Sequence, residues 1–152
     1  TVIKKGDEMK RRYKAALLAS VVILACTAIA SADTEADVVT DLVTARTDAM
    51  SGFFAGELTR EEALETLEEI ETDLLKKEDM SNIDLYFRTD IEQVRGYSFE
   101  DVSVTLSDGE MICAKVTIKW NSEGLQGSEE FCHTYDVICI KEGNRYKLAQ
   151  FY

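Results

Sequence analysis

The chain contains no proline and only one histidine. The lack of proline limits how its loops are built, and the scarcity of histidine limits the metal sites it can form. Without proline, no position is forced to break a helix, and loops must be built from glycine, asparagine, aspartate and serine. The single histidine, His133, has no C-x-x-C pair beside it, and adjacent Cys132 and His133 would point to opposite faces of a strand. We therefore predict neither a metal site nor a cofactor.

Basic side chains are scarce beyond residue 32. Residues 33–152 carry 11 Lys and Arg against 27 Asp and Glu, a net charge of −16. A domain this acidic repels phosphate backbones, so we predict that it does not bind nucleic acid. The acidity favours solubility. Its alternative role is to attract a basic partner or weakly held divalent cations.

Residues 1–32 differ from the rest of the chain. A basic cluster at 10–14 precedes the apolar run AALLASVVILACTAIASA at 15–32, an order typical of a secretory signal that starts at Met9. Ala30-Ser31-Ala32 fits the small-x-small rule and predicts cleavage after Ala32. Two alternatives stay open, retention as a membrane anchor and lipid attachment at Cys26, which follows Ile23-Leu24-Ala25. All three place 33–152, a single α+β domain, outside the cytoplasm, secreted or associated with the cell envelope.

Apolar spacing predicts three helices after residue 33. The first covers 34–54, with Val38, Leu42, Ala45 and Ala49 on one face. The second covers 59–77: it opens with the capping box Thr59-Arg-Glu-Glu62, and its acidic side chains are expected on a solvated face. The third covers 82–95, with a strand at 83–87 as its alternative.

After Tyr97 the apolar period changes to two, which predicts strands. They cover 101–106, 112–120, 129–141 and 145–152, with turns at Ser107-Asp108-Gly109 and Glu142-Gly143-Asn144. The predicted fold is α+β, about three helices packed on a four-stranded antiparallel meander.

The last hairpin, Gly143-Asn-Arg-Tyr146-Lys147-Leu148, together with the strands at 101–106 and 114–120, resembles small exported bacterial domains of the NTF2-like (cystatin-like) superfamily. That resemblance implies N-terminal helices in the bend of a curved sheet. It also implies a cone-shaped cavity, used by some members as an active site or ligand pocket and by many as an assembly surface. No catalytic motif of the family matches this chain.

Three cysteines lie in the predicted strands. Outside the cytoplasm, cysteines on neighbouring strands tend to pair, and strand parity favours a Cys113–Cys132 disulfide on the outward face with Cys139 buried. A Cys113–Cys139 bridge and three free thiols stay open as alternatives.

The chain shows no catalytic constellation, so we predict an exported, non-enzymatic domain, membrane-associated or secreted, that binds a protein or small ligand or takes part in assembly. One alternative is a small cavity enzyme of the isomerase or dehydratase type that uses His133 and Tyr135 as acid and base. Another is a pilin-like or secretion-accessory envelope subunit anchored by an uncleaved apolar helix.

Overall fold

The computed structural model describes residues 34–86, 93–124 and 127–152. In these residues three helices precede four strands: α1 (Glu35–Phe54), α2 (Arg60–Ile70), α3 (Asp73–Tyr86), β1 (Gln93–Ser107), β2 (Met111–Gly124), β3 (Gly127–Glu142) and β4 (Arg145–Phe151). The predicted α+β class and element order are confirmed. The segment 15–32, with Cys26 and Ala32, lies outside the described residues, and no helix within them is long and apolar enough to span a membrane.

Two threonines start the first two helices. Thr34 caps α1 and Thr59 caps α2, and each hydroxyl accepts from the backbone N–H three residues on while that residue's carboxylate accepts from the threonine N–H. This reciprocal bonding satisfies backbone donors that a helix start leaves free. The predicted capping box at Thr59 and the predicted span of α1 are both confirmed.

The prediction of one helix over 59–77 and another over 82–95 is wrong at its boundaries. α2 ends at Ile70, Glu71 adopts an extended backbone, and α3 begins at Asp73. The break forms because Glu71 bridges Leu148 of β4 and the Thr72 N–H donates to the Leu148 carbonyl at 2.8 Å. The interruption sets the helical phase of α3, in which Leu75 is buried and Leu74 is 72% exposed.

The sheet is an antiparallel meander in the order β1-β2-β3-β4. Gly109 and Gly143, at φ +87° and +64°, take the left-handed conformation in the two predicted turns. β1 already begins at Gln93, where a helix was expected, and it pairs from there with the end of β2.

One face of the sheet packs against the helices and is called the inner face here. On β2 this face consists of alternate residues, all buried: Ile112, Ala114, Val116, Ile118, Trp120 and Ser122. Val39, Val43 and Leu75 complete this core from α1 and α3. A second cluster, around Phe53, Leu67 and Ile83, joins the three helices.

Candidate functional site

His133 and Tyr135 lie on the inner face. His133 is directly opposite Ile118, and Tyr135 is opposite Val116. Their rings are 4.6 Å apart. His133 is exposed and Tyr135 is half-buried. The structure therefore brings these two residues together at an end of the inner face that the described helices leave open.

Aromatic rings continue from this pair toward the core. Tyr135 stacks on Phe151 with centroids 4.4 Å apart and meets Trp120 edge-on at 6.2 Å. The guanidinium of Arg46 lies 4.5 Å from the Phe151 centroid, a cation–π distance. Burial raises the pKa of Tyr135. The hydroxyl of Tyr135 is therefore protonated at neutral pH.

Arg46 also holds two carboxylates inside the helical layer. It donates to both oxygens of Asp79 at 2.7 Å, and its Nε lies 3.3 Å from Glu71 Oε1. Because the guanidinium is aligned on Asp79, neither oxygen of Glu71 accepts a hydrogen bond from a described residue. Burial raises the pKa of Glu71 to about 8, and neighbouring Asp79 adds to the effect. This buried cluster therefore contains one cation, Arg46, and two carboxyl groups, those of Glu71 and Asp79.

A cleft of about 150 Å³ opens between α1 and the sheet, lined by Arg46, Thr47, Met50, Ser51, Phe54, Val94 and Trp120. The Trp120 indole N–H is buried, and its contact with the Tyr135 hydroxyl opposes the rise in the pKa of Tyr135. His133 and Tyr135 do not line this cleft.

The outer face of β2 and β3 consists of paired polar rungs. Lys115 donates to Asp136 at 2.7 Å, and Lys119 lies 3.0 Å from Glu130. The hydroxyls of Thr117 and Thr134 are 2.9 Å apart between them. In such rungs the polar side chains of neighbouring strands satisfy one another's charges and hydrogen bonds, which is typical of a solvated sheet face.

The three described cysteines are free thiols. Cys113 and Cys132 do share the outer face, but Cys113 is opposite Ile138 and Cys132 is opposite Lys119. The six residue steps from Cys132 to Ile138 span about 20 Å of strand, whereas bridged Cα atoms lie within about 7 Å. The strand register therefore separates the two thiols of the favoured disulfide. Burial raises the pKa of the Cys139 thiol to about 12.

β3 continues well past the end of β4. The last pairing of the two joins Asp136 and Tyr152, which exchange both backbone hydrogen bonds. Residues 127–135 are paired with β2 on one side, and no described residue pairs with them on the other. We call 127–135 the free edge of β3. At its centre, on the inner face, Phe131 is 43% exposed.

Sequence reasoning missed the free edge, because it depends on which residues of β3 the described β4 reaches, and that is a matter of strand register. It also missed Arg46, Glu71 and Asp79, since the acids were expected on a solvated face. Within the described residues, no group of three or more His, Cys, Asp or Glu is arranged to hold a metal ion.

No protein-family model matches the chain, and no curated protein matches it. Among solved structures, it is similar to the intermembrane space region of the chloroplast protein ARC6, with a TM-score of 0.49 and 14% sequence identity. The match covers 78% of this chain and 95% of that chain. The NTF2-like resemblance of residues 143–148 stays a prediction.

Proposed function

We propose that the chain is an exported, non-enzymatic binding or assembly domain whose partner binds at the free edge of β3. One observation carries the proposal: a regular strand edge with no partner in the described residues, with the exposed Phe131 at its centre. An unpaired edge presents a row of N–H and C=O groups that an extended chain can join by strand addition.

The other described surfaces give less support for a partner. The outer face satisfies its own charges through the rungs of β2 and β3. The opposite sheet edge, β1, is interrupted by three register shifts relative to β2. Such irregularities disturb the ladder and discourage strand addition. By contrast, β3 pairs with β2 without a shift from Ile140 to Gly127, so its free edge is regular.

Export is the part of the proposal that depends on residues 1–32. The basic cluster followed by an apolar run supports it. We expect the protein isolated from the cells that make it to have the mass of a chain beginning at Asp33, or of one lipidated at Cys26. A retained 15–32 would instead favour the pilin-like or secretion-accessory alternative, and a cytoplasmic chain would contradict export.

Photocrosslinking in those cells tests the binding surface. Phe131 is replaced by p-benzoylphenylalanine, and the matched control carries it at Leu106, a 50% exposed residue of β1. We expect an adduct from position 131 and none from position 106. The absence of any adduct from 131, with the fold intact by circular dichroism, would contradict the proposed binding surface.

The contact between His133 and Tyr135 favours a second candidate, the small cavity enzyme of the isomerase or dehydratase type. Its acid–base pair would also need a nearby carboxylate, and in the described residues His133 takes part in no ion pair. The test is turnover of a panel of small ketones and hydroxy acids. Activity that His133→Ala abolishes, and that the control Cys132→Ser retains, would favour the enzyme over the binding domain.

A further inference from the structure

The direction of the backbone groups along the free edge follows from the last pair of β3 and β4. Asp136 exchanges both backbone bonds with Tyr152, so its N–H and C=O point away from β2. These groups alternate along an antiparallel strand, and β3 has no register shift against β2 between residues 127 and 136. The N–H and C=O of Ser128, Glu130, Cys132 and Thr134 therefore point out of the free edge.

We infer that the partner at this edge is a second copy of the same chain, paired antiparallel through its own free edge. The inference rests on the proposed binding surface and names its occupant. Two free edges of residues 127–135 overlap completely only when Phe131 lies on the two-fold axis. If the register shifts in one direction, the start of the second strand collides with Tyr152, because Tyr152 already pairs with the backbone of Asp136. A shift in the other direction loses pairs.

In this register the outward backbone groups meet one another. Ser128 lies opposite Thr134 of the second copy, and Glu130 lies opposite Cys132, each match occurring twice by symmetry. Every such pair exchanges two bonds, so the junction forms about eight backbone hydrogen bonds. The two sheets then join into one continuous sheet of eight described strands.

The inner-face side chains are complementary in the same register. Glu129 lies opposite His133 of the second copy, and His133 lies opposite Glu129, so each carboxylate meets an imidazole. Between these pairs, Phe131 meets its own copy. These are pairs without mutual backbone bonds, in which side chains approach most closely. A carboxylate–imidazole pair, an aromatic pair and a second carboxylate–imidazole pair thus follow one another across the axis.

The outer-face side chains do not oppose the pairing. Glu130 is the one charged residue of the free edge on that face, and Lys119 of its own chain already lies 3.0 Å from it. Its neighbour across the junction is the uncharged, exposed Cys132. No like charges therefore face each other directly on either side of the new ladder.

A junction of one strand pair is small compared with standard interfaces of about 1,600 Å². Each domain of residues 33–152 also carries −16, so the two copies repel at long range. We therefore expect weak, reversible association, which is best detected by trapping it. Phe131→Cys, in a Cys132→Ser background of the full chain, places two thiols across the axis at a Cα separation of about 4.5 Å, within disulfide range.

Mild oxidation with diamide at micromolar protein concentration should convert this variant to a dimer, with a 131–131 disulfide identified by mass spectrometry. Leu106→Cys in the same background is the control, because it offers an equally exposed thiol at the irregular β1 edge. Equal dimer formation by both variants would indicate random collision and overturn the inference. Absence of the 131–131 disulfide would overturn it as well.

A charge exchange tests the register itself, with the 131–131 disulfide as the readout. His133→Glu places like charges opposite each other and should lower the yield at least about fivefold. The double variant Glu129→Lys/His133→Glu restores opposite charges in both pairs and should recover it. Both positions are exposed, so folding is retained. Failure of the double variant to recover the yield would overturn this pairing.

Photocrosslinking at position 131 separates this inference from the function on which it rests. An adduct of twice the mass of the chain supports both. An adduct with a different protein alone overturns the second copy and leaves the binding domain standing. No adduct overturns both.

Discussion

Glu71→Gln should stabilise the protein at alkaline pH, because the carboxylate of Glu71 is buried without a hydrogen bond from the described residues. The Glu71 side chain is fully buried, and the Arg46 guanidinium is committed to Asp79. Glutamine keeps the shape of protonated glutamate, carries no charge at any pH and can donate to Asp79 as the protonated acid does.

The direction of the pH dependence follows from the linkage between proton binding and folding. The pKa of Glu71 is raised from 4.5 to about 8 in the folded protein, so between these values the folded state holds a proton that the unfolded state has lost. The stabilisation due to this group is complete below pH about 4.5 and is lost as pH rises through 8. The slope is at most about 1.4 kcal/mol per pH unit, which sets a ceiling of about 5 kcal/mol. Because buried sites relax around a charge, we expect about 2 kcal/mol.

The assay is urea unfolding of the full chain at several pH values, followed by the fluorescence of Trp120, the single tryptophan. Glu71→Gln and wild type should be similar near pH 5, and the variant should be more stable by about 2 kcal/mol near pH 9. Glu69→Gln, an exposed change two residues earlier in α2, corrects for general loss of negative charge. Parallel profiles of wild type and Glu71→Gln would refute the reasoning.

Two further predictions follow from the caps and the thiols. Thr59→Ala removes the hydroxyl that accepts from the Glu62 N–H and should lower the free energy of unfolding by about 1 kcal/mol, whereas Thr59→Ser should retain most of it; equal losses in both variants would contradict the capping role. In native protein without reductant, iodoacetamide should label exposed Cys132 first and buried Cys139 only on unfolding. Mass spectrometry of the labelled peptides measures the order, and an unlabelled Cys132 that reacts only after reduction would show a disulfide.

Local patterns predicted much of this fold. The span of α1, the capping box at Thr59 and the glycine turns of the sheet depend on side chains within a few residues of one another. Sequence shows such patterns directly. The apolar period of two likewise predicted β2, and its apolar residues do lie on the buried face.

The features that were missed depend on contacts between distant residues. The break after Ile70 has no glycine or proline to mark it, because it is made by backbone bonds to Leu148. Glu71 and Asp79 are buried because Arg46, on another helix, reaches them. Acidic helices usually have solvated faces, so composition favoured the wrong environment for both.

The candidate site was predicted only in part. Strand parity alone relates His133 and Tyr135, and the structure places them in contact. Strand parity alone cannot decide whether Cys113 and Cys132 form a disulfide, because the strand register matters as well. The register places the two cysteines far apart along the sheet. The free edge of β3 depends on where β4 ends, which is a property of the whole sheet.

Amide hydrogen exchange along the free edge, measured by NMR on the full chain at increasing protein concentration, tests the central claim most directly. The amides of Ser128, Glu130, Cys132 and Thr134 should exchange quickly in dilute protein and more slowly as the concentration rises. Those of residues 129, 131, 133 and 135, bonded to β2, should be slow throughout. Slow exchange of the four outward amides at every concentration would show that the chain covers its own edge and would contradict the account.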